Sequence, residues 1–196
     1  MRISIPLLFC WPWALLFWPV FAWVFVPEFL LIQRSKGLGS SSQDRGTLKL
    51  IIMVNNLALW AGAAVSFLSP FSAPWPKTLL ISGTALLLAG GILRRACFAA
   101  LGEYFKGAVI VTPGQPVIQS GPYRLVRHPS YAAGFMVLGG VGVAFGNWLS
   151  MAILFAAPCL VYTFRIRAEE KALLETIGEP YRLYMSRTKR LIPFLL

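Results

Sequence analysis

Five stretches of this chain contain no charged side chain, and each is long enough to form a helix of about four turns or more. They are residues 3–26, 50–69, 78–93, 131–145 and 149–164. A bilayer core about 30 Å thick is crossed by about 20 apolar residues in an α-helix. Lipid also offers no partner to an open backbone polar group. The pattern therefore predicts an all-α, polytopic membrane helix bundle with about five transmembrane helices.

The overall composition supports the same class of protein. The 196 residues are 57% hydrophobic and 13% charged, with a mean hydropathy of +0.68. A soluble domain averages about 25% charged residues, so the composition excludes an ordinary soluble enzyme and a disordered chain. The formal net charge is +11, but the basic tail has few aromatic side chains on which bases could stack. We therefore expect membrane lipids as partners, and no nucleic acid.

Lysine and arginine are concentrated in every second connecting segment. The N-terminus has one, residues 33–49 have four, residues 70–77 one, residues 94–130 five, the turn between the last two runs none, and the tail seven. Cytoplasmic segments carry the excess of these residues. We expect an N-terminus outside, a cytoplasmic C-terminus, and a prokaryotic inner membrane. The first run follows Arg2 as in a signal peptide, but its length favours a first transmembrane helix.

The C-terminal half is organised around a predicted helical hairpin. Its two apolar runs are separated only by Gly146, Asn147 and Trp148. We divide the chain into residues 1–95, which hold the first three helices, and residues 96–196, which hold the long loop, the hairpin and the tail. Because the loop and the tail flank the same hairpin, we expect them to form one cytoplasmic pocket. Gly142 and Gly146 also have the spacing that allows two helices to approach closely.

Neither a metal site nor a disulfide is predicted. Cys10, Cys97 and Cys159 lie far apart with no nearby histidine, which favours reduced, packed thiols. His128 is the only histidine, and one histidine without cysteine or carboxylate neighbours cannot form a zinc site.

Two groups of polar residues allow both a structural and a functional interpretation. His128 precedes Pro129, a sequence typical of a helix start, where a polar side chain lies near free amides. Arg165 and Glu169 share a helix face at the spacing of a surface ion pair. However, a charge at the end of a membrane span often pairs with a ligand or lies in a functional site. Taken separately, these residues leave both interpretations open.

Their combination is more specific. Gly121-Pro122-Tyr123 is followed by Arg127-His128-Pro129-Ser130-Tyr131, then by the hairpin, Arg165 and the pair Glu169-Glu170. Further on come Gly178-Glu179-Pro180-Tyr181 and Arg190-Leu191-Ile192-Pro193. This order resembles the isoprenylcysteine carboxyl methyltransferase family, and related membrane phospholipid N-methyltransferases share much of it. The resemblance covers residues 100–196, whereas only hydropathy agrees over residues 1–95.

The resemblance implies a site as well as a fold. The family consists of integral-membrane methyltransferases that use S-adenosyl-L-methionine on a lipophilic substrate, which enters from the bilayer. Arg165 matches the arginine that meets the substrate carboxylate and is the predicted catalytic residue. The predicted cofactor-binding residues are Gln115, Pro116, Val117 and Ile118 through their backbone, Tyr123, His128, Pro129, Ser130, Tyr131, Glu169 and Glu170.

The resemblance implies carboxyl O-methylation of an isoprenylcysteine-like group as the first hypothesis. A carboxylate is ionised at neutral pH, so its methylation needs alignment and exclusion of water rather than a base. An amine would need a base such as His128 or Glu170, and Arg165 would repel its ammonium form. The alternatives are a phospholipid N-methyltransferase, a small-thiol S-methyltransferase, and a non-catalytic membrane module.

Overall fold

Six α-helices follow one another in the part of the chain that the structure, a computed structural model, describes: residues 4–35, 46–104 and 114–191. They are α1 (Ala14–Ser35), α2 (Thr47–Ser66), α3 (Pro76–Leu101), α4 (Pro129–Ala144), α5 (Trp148–Thr176) and α6 (Glu179–Arg187). Short 3-10 turns lie at Leu7–Phe9, Ser69–Phe71, Gly102–Tyr104 and Gly121–Arg124. No β-strand forms within these residues, which confirms the predicted all-α architecture. The predictions that involve Lys36, Arg45, Lys106 and Ile192-Pro193 lie outside the described residues.

Three of these helices are long and apolar enough to cross a membrane. They are α2, α3 and α5, and the apolar part of α1 (Ala14–Leu30) and α4 are shorter. Many large apolar side chains on these helices are exposed, among them Leu57, Trp60 and Leu160. Since water would not tolerate so much apolar surface on one molecule, the chain is an integral membrane protein.

The first helix begins and ends later than the sequence predicts. The predicted run is 3–26, but α1 starts at Ala14 and continues to Ser35. Pro6 and Pro12 have no amide hydrogen to donate, and this segment contains only the short turn Leu7–Phe9. Pro12 therefore precedes the helix, whereas Pro19 and Pro27 lie inside it.

The third helix also runs past its predicted end at Arg94 and Arg95. These two arginines lie inside α3, which ends at Leu101. Arg94 forms an ion pair with Glu28 of α1. The Arg95 guanidinium lies 3.5 Å from the centre of the Trp23 ring and donates a hydrogen bond to the Trp23 carbonyl. Contacts with α1 thus stabilise both guanidinium groups, and α3 continues past them to Leu101.

The close contact between α3 and α4 depends on glycines other than the predicted pair. A Cβ atom on Gly83 would lie 2.4 Å from the Ala144 amide nitrogen, and one on Gly140 would lie 2.5 Å from the Leu87 amide nitrogen. Of the predicted pair, Gly142 does lie close to α5, because an added Cβ atom would lie 3.1 Å from the Leu154 Cβ atom. The prediction is wrong for Gly146, which lies outside the helix with φ of 62°. Its positive φ suits the turn that joins α4 to α5.

We expect Gly83→Ala to destabilise the bundle by about 1–3 kcal/mol, since overpacking displaces a backbone that cannot relax. The measurement is thermal unfolding of the purified protein in one detergent. The matched control is Ser82→Ala, because Ser82 is exposed and bonds only the Leu79 carbonyl of its own helix. Equal melting temperatures for the two variants would contradict this account of the α3–α4 contact.

The bundle has two distinct ends. At the first, the Asn147 end, α2 and α4 finish and α3 and α5 begin. The Asn147 side chain accepts hydrogen bonds from the first amides of α5 and donates to the carbonyls of Val65 and Leu68 at 3.2 Å. At the second, the basic end, α1, α3 and α5 finish, α2 and α4 begin, and α6 follows. The long helices thus alternate in direction.

The cysteines differ in burial, which partly corrects the prediction of packed thiols. Cys97 is fully buried in α3 and Cys10 is partly buried. Cys159 is exposed on α5, because it lies on the side of the helix that faces away from the core. All three are free thiols.

Candidate active site

A cavity of about 710 Å³ runs through the bundle from the basic end toward the Asn147 end. At the basic end its wall carries the polar side chains of Arg165, Glu169 and Tyr131. Farther along, the wall is apolar and includes Phe17 and Phe145 near the Asn147 end. One continuous space therefore joins a charged compartment to an apolar compartment.

The Tyr131 hydroxyl connects Arg165 to Glu169 at the polar end. It accepts a hydrogen bond from Arg165 Nε at 3.1 Å and donates one to Glu169 Oε2 at 2.7 Å. Arg165 Nη1 also donates to Thr47 Oγ1 at the start of α2, at 2.5 Å. Arg165 is only 3% exposed. Of the two interpretations left open by the sequence, the surface ion pair is therefore wrong, because Arg165 belongs to a buried network that joins α2, α4 and α5.

His128 is positioned by Glu170 rather than by the amides of its own helix. It is the residue before α4, but its side chain makes no capping hydrogen bond. Its Nε2 atom lies 3.2 Å from Glu170 Oε1, and because a carboxylate only accepts, this nitrogen carries the hydrogen. The Glu170 carboxylate also accepts from Arg127 at 3.1 Å and Arg190 at 2.8 Å. The chain after α6 is thus joined to the start of α4.

Backbone contacts strengthen this junction. The amides of Arg127 and His128 donate to the carbonyls of Lys189 and Arg190 at 2.8 and 2.9 Å. The buried Tyr184 hydroxyl donates to the Tyr123 carbonyl at 2.6 Å. Burial raises the pKa of Tyr184 to about 12, so this donor keeps its proton at neutral pH. The C-terminal segment therefore holds the 123–128 segment in place.

The structure brings most of the predicted site residues to one cavity. Residues 115–118, which have no regular secondary structure, line its wall together with Tyr123, whose pKa is raised by burial. Pro129 and Glu170 do not line the cavity, and Glu170 instead contacts Arg127, His128 and Arg190. The residues that line it are Gln115, Pro116, Val117, Ile118, Tyr123, His128, Ser130, Tyr131, Arg165 and Glu169.

Sequence reasoning did not assign to the site several polar residues in the same wall, among them Glu28, Arg94, Asn55 and Tyr162. Arg94 pairs with Glu28 and donates to the Ser130 carbonyl at 2.9 Å, so it connects α1 and α3 to the start of α4. Asn55 Nδ2 lies 3.4 Å from the Tyr162 hydroxyl. The signal that could have found Glu28 and Arg94 is their charge beside long apolar runs.

The apolar compartment has an aromatic wall along α1. The rings of Phe17 and Phe21 are 5.7 Å apart, those of Phe21 and Phe25 are 4.2 Å apart, and Trp18 contacts Phe21 edge-on at 5.4 Å. All four residues line the cavity. Because aromatic side chains have few rotatable bonds, this wall is rigid for its size.

We expect Glu170→Ala to lower the free energy of unfolding by about 3 kcal/mol, because it leaves the largely buried Arg127 guanidinium without its carboxylate partner. Glu175→Ala is the control, since Glu175 pairs with Lys171 on the exposed surface of the same helix. Exposed pairs contribute about 0–1 kcal/mol. Thermal unfolding of both variants in one detergent is the measurement, and an equally small loss in both would refute a structural role for Glu170.

Comparison with known proteins agrees with this architecture. Residues 83–175 match the model of the isoprenylcysteine carboxyl methyltransferase (ICMT) family. A protein-S-isoprenylcysteine O-methyltransferase of Mus musculus is 27% identical over 189 residues, which cover 91% of this chain and 66% of that protein. The uncharacterized protein YpbQ of Bacillus subtilis (strain 168) is 28% identical over 100 residues, 51% of this chain and 60% of the relative.

A solved structure matches at the level of the fold. The structure of the eukaryotic intramembrane Ras methyltransferase ICMT, without a monobody, superposes with a TM-score of 0.64 and 25% identity, over 71% of this chain and 52% of that one. The chain spans between 41% and 66% of the length of the first curated relatives that it matches. Residues 83–175 are thus similar to the isoprenylcysteine carboxyl methyltransferase family, and the described fold matches that of the solved ICMT structure.

Proposed function

We propose that this protein is an S-adenosyl-L-methionine-dependent methyltransferase that methylates the carboxylate of a lipophilic, isoprenylcysteine-like substrate. The observation that carries the proposal is the single cavity that joins the polar Arg165–Tyr131–Glu169 network to an apolar compartment. A substrate with a charged head and an apolar chain matches both compartments. The similarity of residues 83–175 to the isoprenylcysteine carboxyl methyltransferase family supports the same reaction.

The residues at the basic end fit the proposed cofactor chemically. The cofactor combines cationic groups, a carboxylate, ribose hydroxyls and an aromatic base, and when bound it supplies a methyl group on positively charged sulfur. Glu169 offers a carboxylate to a cationic group or to hydroxyls, and residues 115–118 offer backbone polar groups to the base. Tyr123 and Tyr131 add aromatic faces, which attract cations. Ser130 and His128 complete this side of the wall.

Arg165 is the proposed group for the substrate carboxylate. Its guanidinium is buried between three helices, and a planar fork of donors can bind a carboxylate through two parallel bonds. The carboxylate is already ionised at neutral pH. The protein therefore supplies orientation and a dry site, not a general base.

The same geometry disfavours the amine alternative. An ammonium headgroup would have to approach Arg165 and Arg94 and lose its proton first. The one histidine, His128, uses Nε2 to contact Glu170, and the Glu170 carboxylate accepts from two arginines as well. Phospholipid N-methylation is therefore the second candidate. Methylation of a small thiol is disfavoured as well, because such a substrate would leave the long apolar compartment empty.

We also propose the orientation of the bundle. The helices α1 and α4 would cross the membrane together with α2, α3 and α5, since the five alternate in direction. Exposed arginines of α5, α6 and the segment before α4 lie at the basic end. Because cytoplasmic segments carry the excess of arginine and lysine, the basic end would face the cytoplasm. Packing of α1 on α3 and of α2 on α5, with little contact between α1 and α2, supports substrate entry from the bilayer between α1 and α2.

The test is calorimetric titration of the detergent-purified protein with S-adenosyl-L-methionine, followed by transfer of a tritiated methyl group to lipophilic carboxylates, amines and thiols. We expect saturable binding and transfer to the carboxylates. Binding with transfer only to amines or thiols would replace the proposed reaction by one of the alternatives. Absence of cofactor binding by the folded protein would favour a non-catalytic membrane module.

A further inference from the structure

We propose that Ala63 of α2, together with Phe17 and Phe145, forms an end wall that limits the length of the apolar chain the cavity accepts. This inference rests on the proposed function and deepens it. It names the substrate as a carboxylate whose apolar chain reaches about 20 Å from the reacting group. Ala63 is then a specificity-determining residue rather than part of the polar site.

The depth of the apolar compartment follows from helix geometry. The hydrogen bond between Arg165 and Thr47 marks the polar end on α2. From Thr47 to Ala63 the helix rises about 24 Å, and from Tyr131 to Phe145 α4 rises about 21 Å. Arg165, Ala63, Tyr131 and Phe145 all line the cavity, whereas Thr47 does not. One leaflet of the hydrocarbon core is about 15 Å thick, so the compartment exceeds the depth of a single leaflet.

The compartment ends against closely packed side chains. Phe17 is 1% and Phe145 is 7% exposed, and both belong to a core cluster that includes Leu154, which is fully buried. Ala63 is partly buried against this cluster. The neighbouring Gly62 fits against Phe145 and Leu154, because its absent Cβ would lie 3.0 Å from a Leu154 methyl carbon. Phe9, which stacks on Phe67 after the end of α2, also lines the cavity here. There is thus a wall of aromatic side chains at this end, and Ala63 is its smallest side chain.

The size of Ala63 decides how far the apolar chain can reach. A larger side chain at this position would project into the cavity, since the neighbouring helices are already packed together. One methylene that no longer fits a hydrophobic pocket costs about tenfold or more in specificity. A larger side chain at position 63 should therefore weaken the binding of substrates with long apolar chains, whereas substrates whose chains end before Ala63 should bind as before.

The chain offers matched controls on the same helix. Ala64, the next residue, is exposed and does not line the cavity. One turn nearer the polar end, Leu59 lines the cavity, whereas Leu57 is 66% exposed and does not. Ala63→Leu and Leu59→Phe thus alter the compartment, and Ala64→Leu and Leu57→Phe alter only the outer surface.

The experiment uses N-acetylcysteine thioethers that carry straight alkyl chains of increasing length. Binding is measured by displacement of a radiolabelled member of the series, and transfer by tritiated methyl incorporation. We expect Ala63→Leu to weaken the longest chain that the unchanged protein accepts by about tenfold and to move the optimum to shorter chains. Leu59→Phe should shorten the optimum further, and both control variants should retain the original profile.

Several outcomes separate the inference from the proposed function. Three outcomes would overturn the proposed end wall. The first is a loss of binding that is equal at all chain lengths. The others are an unshifted chain-length profile in both cavity variants with unchanged melting temperatures, and no binding of any chain. Binding without methyl transfer would refute the proposed reaction, while the binding profile still decides whether Ala63 limits chain length. Transfer with an unshifted profile would overturn the end wall alone.

Discussion

Replacement of Arg165 by alanine is expected to reduce kcat/KM for a lipophilic carboxylate at least about a hundredfold, with little change in the affinity for S-adenosyl-L-methionine. Truncating one member of a buried charge pair costs about 2–5 kcal/mol, and 1.4 kcal/mol corresponds to tenfold. Arg165 is buried at the polar end of the cavity, so its contact with a bound carboxylate would be shielded from water. Methyl transfer and calorimetry on the same preparation are the two measurements.

Two further variants make this prediction specific. Arg167→Ala removes an arginine from the exposed side of the same helix and should leave both measurements unchanged. Arg165→Lys keeps the charge but loses the planar fork, so it should recover only part of the turnover. The assigned role is contradicted if Arg165→Ala weakens cofactor binding as much as it lowers turnover, or if Arg167→Ala is equally impaired.

The second large effect is expected for Glu169→Ala, which should weaken the binding of S-adenosyl-L-methionine by about tenfold or more. A hydrogen bond to a charged group contributes about 1.5–3 kcal/mol, and Glu169 is the carboxylate on α5 that lines the cavity. The substitution also leaves the Tyr131 hydroxyl without its acceptor. Calorimetric titration at one detergent concentration gives the dissociation constant.

The control for Glu169 is a carboxylate on the same helix. Glu175 is exposed and pairs with Lys171, so Glu175→Ala should bind the cofactor as the unchanged protein does. Glu169→Gln retains the size and one acceptor oxygen while losing the charge, and should give an intermediate affinity. Unchanged binding by Glu169→Ala, with a normal melting temperature, would remove Glu169 from the cofactor site.

The spacing of residues in the sequence was sufficient to predict that four polar side chains of the C-terminal half lie at one end of the bundle. Arg165 and Glu169 are four residues apart, and a helix places such residues on one face. His128 and Tyr131 lie at the start of α4, which α5 follows after a short turn, so the start of α4 and the end of α5 lie at the same end of the bundle. These placements could be predicted because a single helix or a short turn between two helices fixes them.

Contacts between distant segments could not be predicted in the same way. The pairing of Glu28 with Arg94 extends α3 beyond its predicted end, and it depends on how α1 packs against α3. The interaction of Glu170 with Arg127 and Arg190 depends on where the chain after α6 returns. Neither contact has a periodic signature, because its partners are separated by tens of residues and the intervening turns set their approach.

The sequence by itself determined the class of protein, because uncharged runs of this length are stable only as helices in lipid. It also determined that the polar residues gather at one end, since arginine and lysine are excluded from the apolar runs and concentrated in alternate segments. Only the tertiary structure decided that the polar end opens into a long apolar compartment, and that Ala63, Phe17 and Phe145 lie at its far end. A cavity is the space that packing between helices leaves unfilled, so it depends on the relative positions of side chains on α1, α2 and α4.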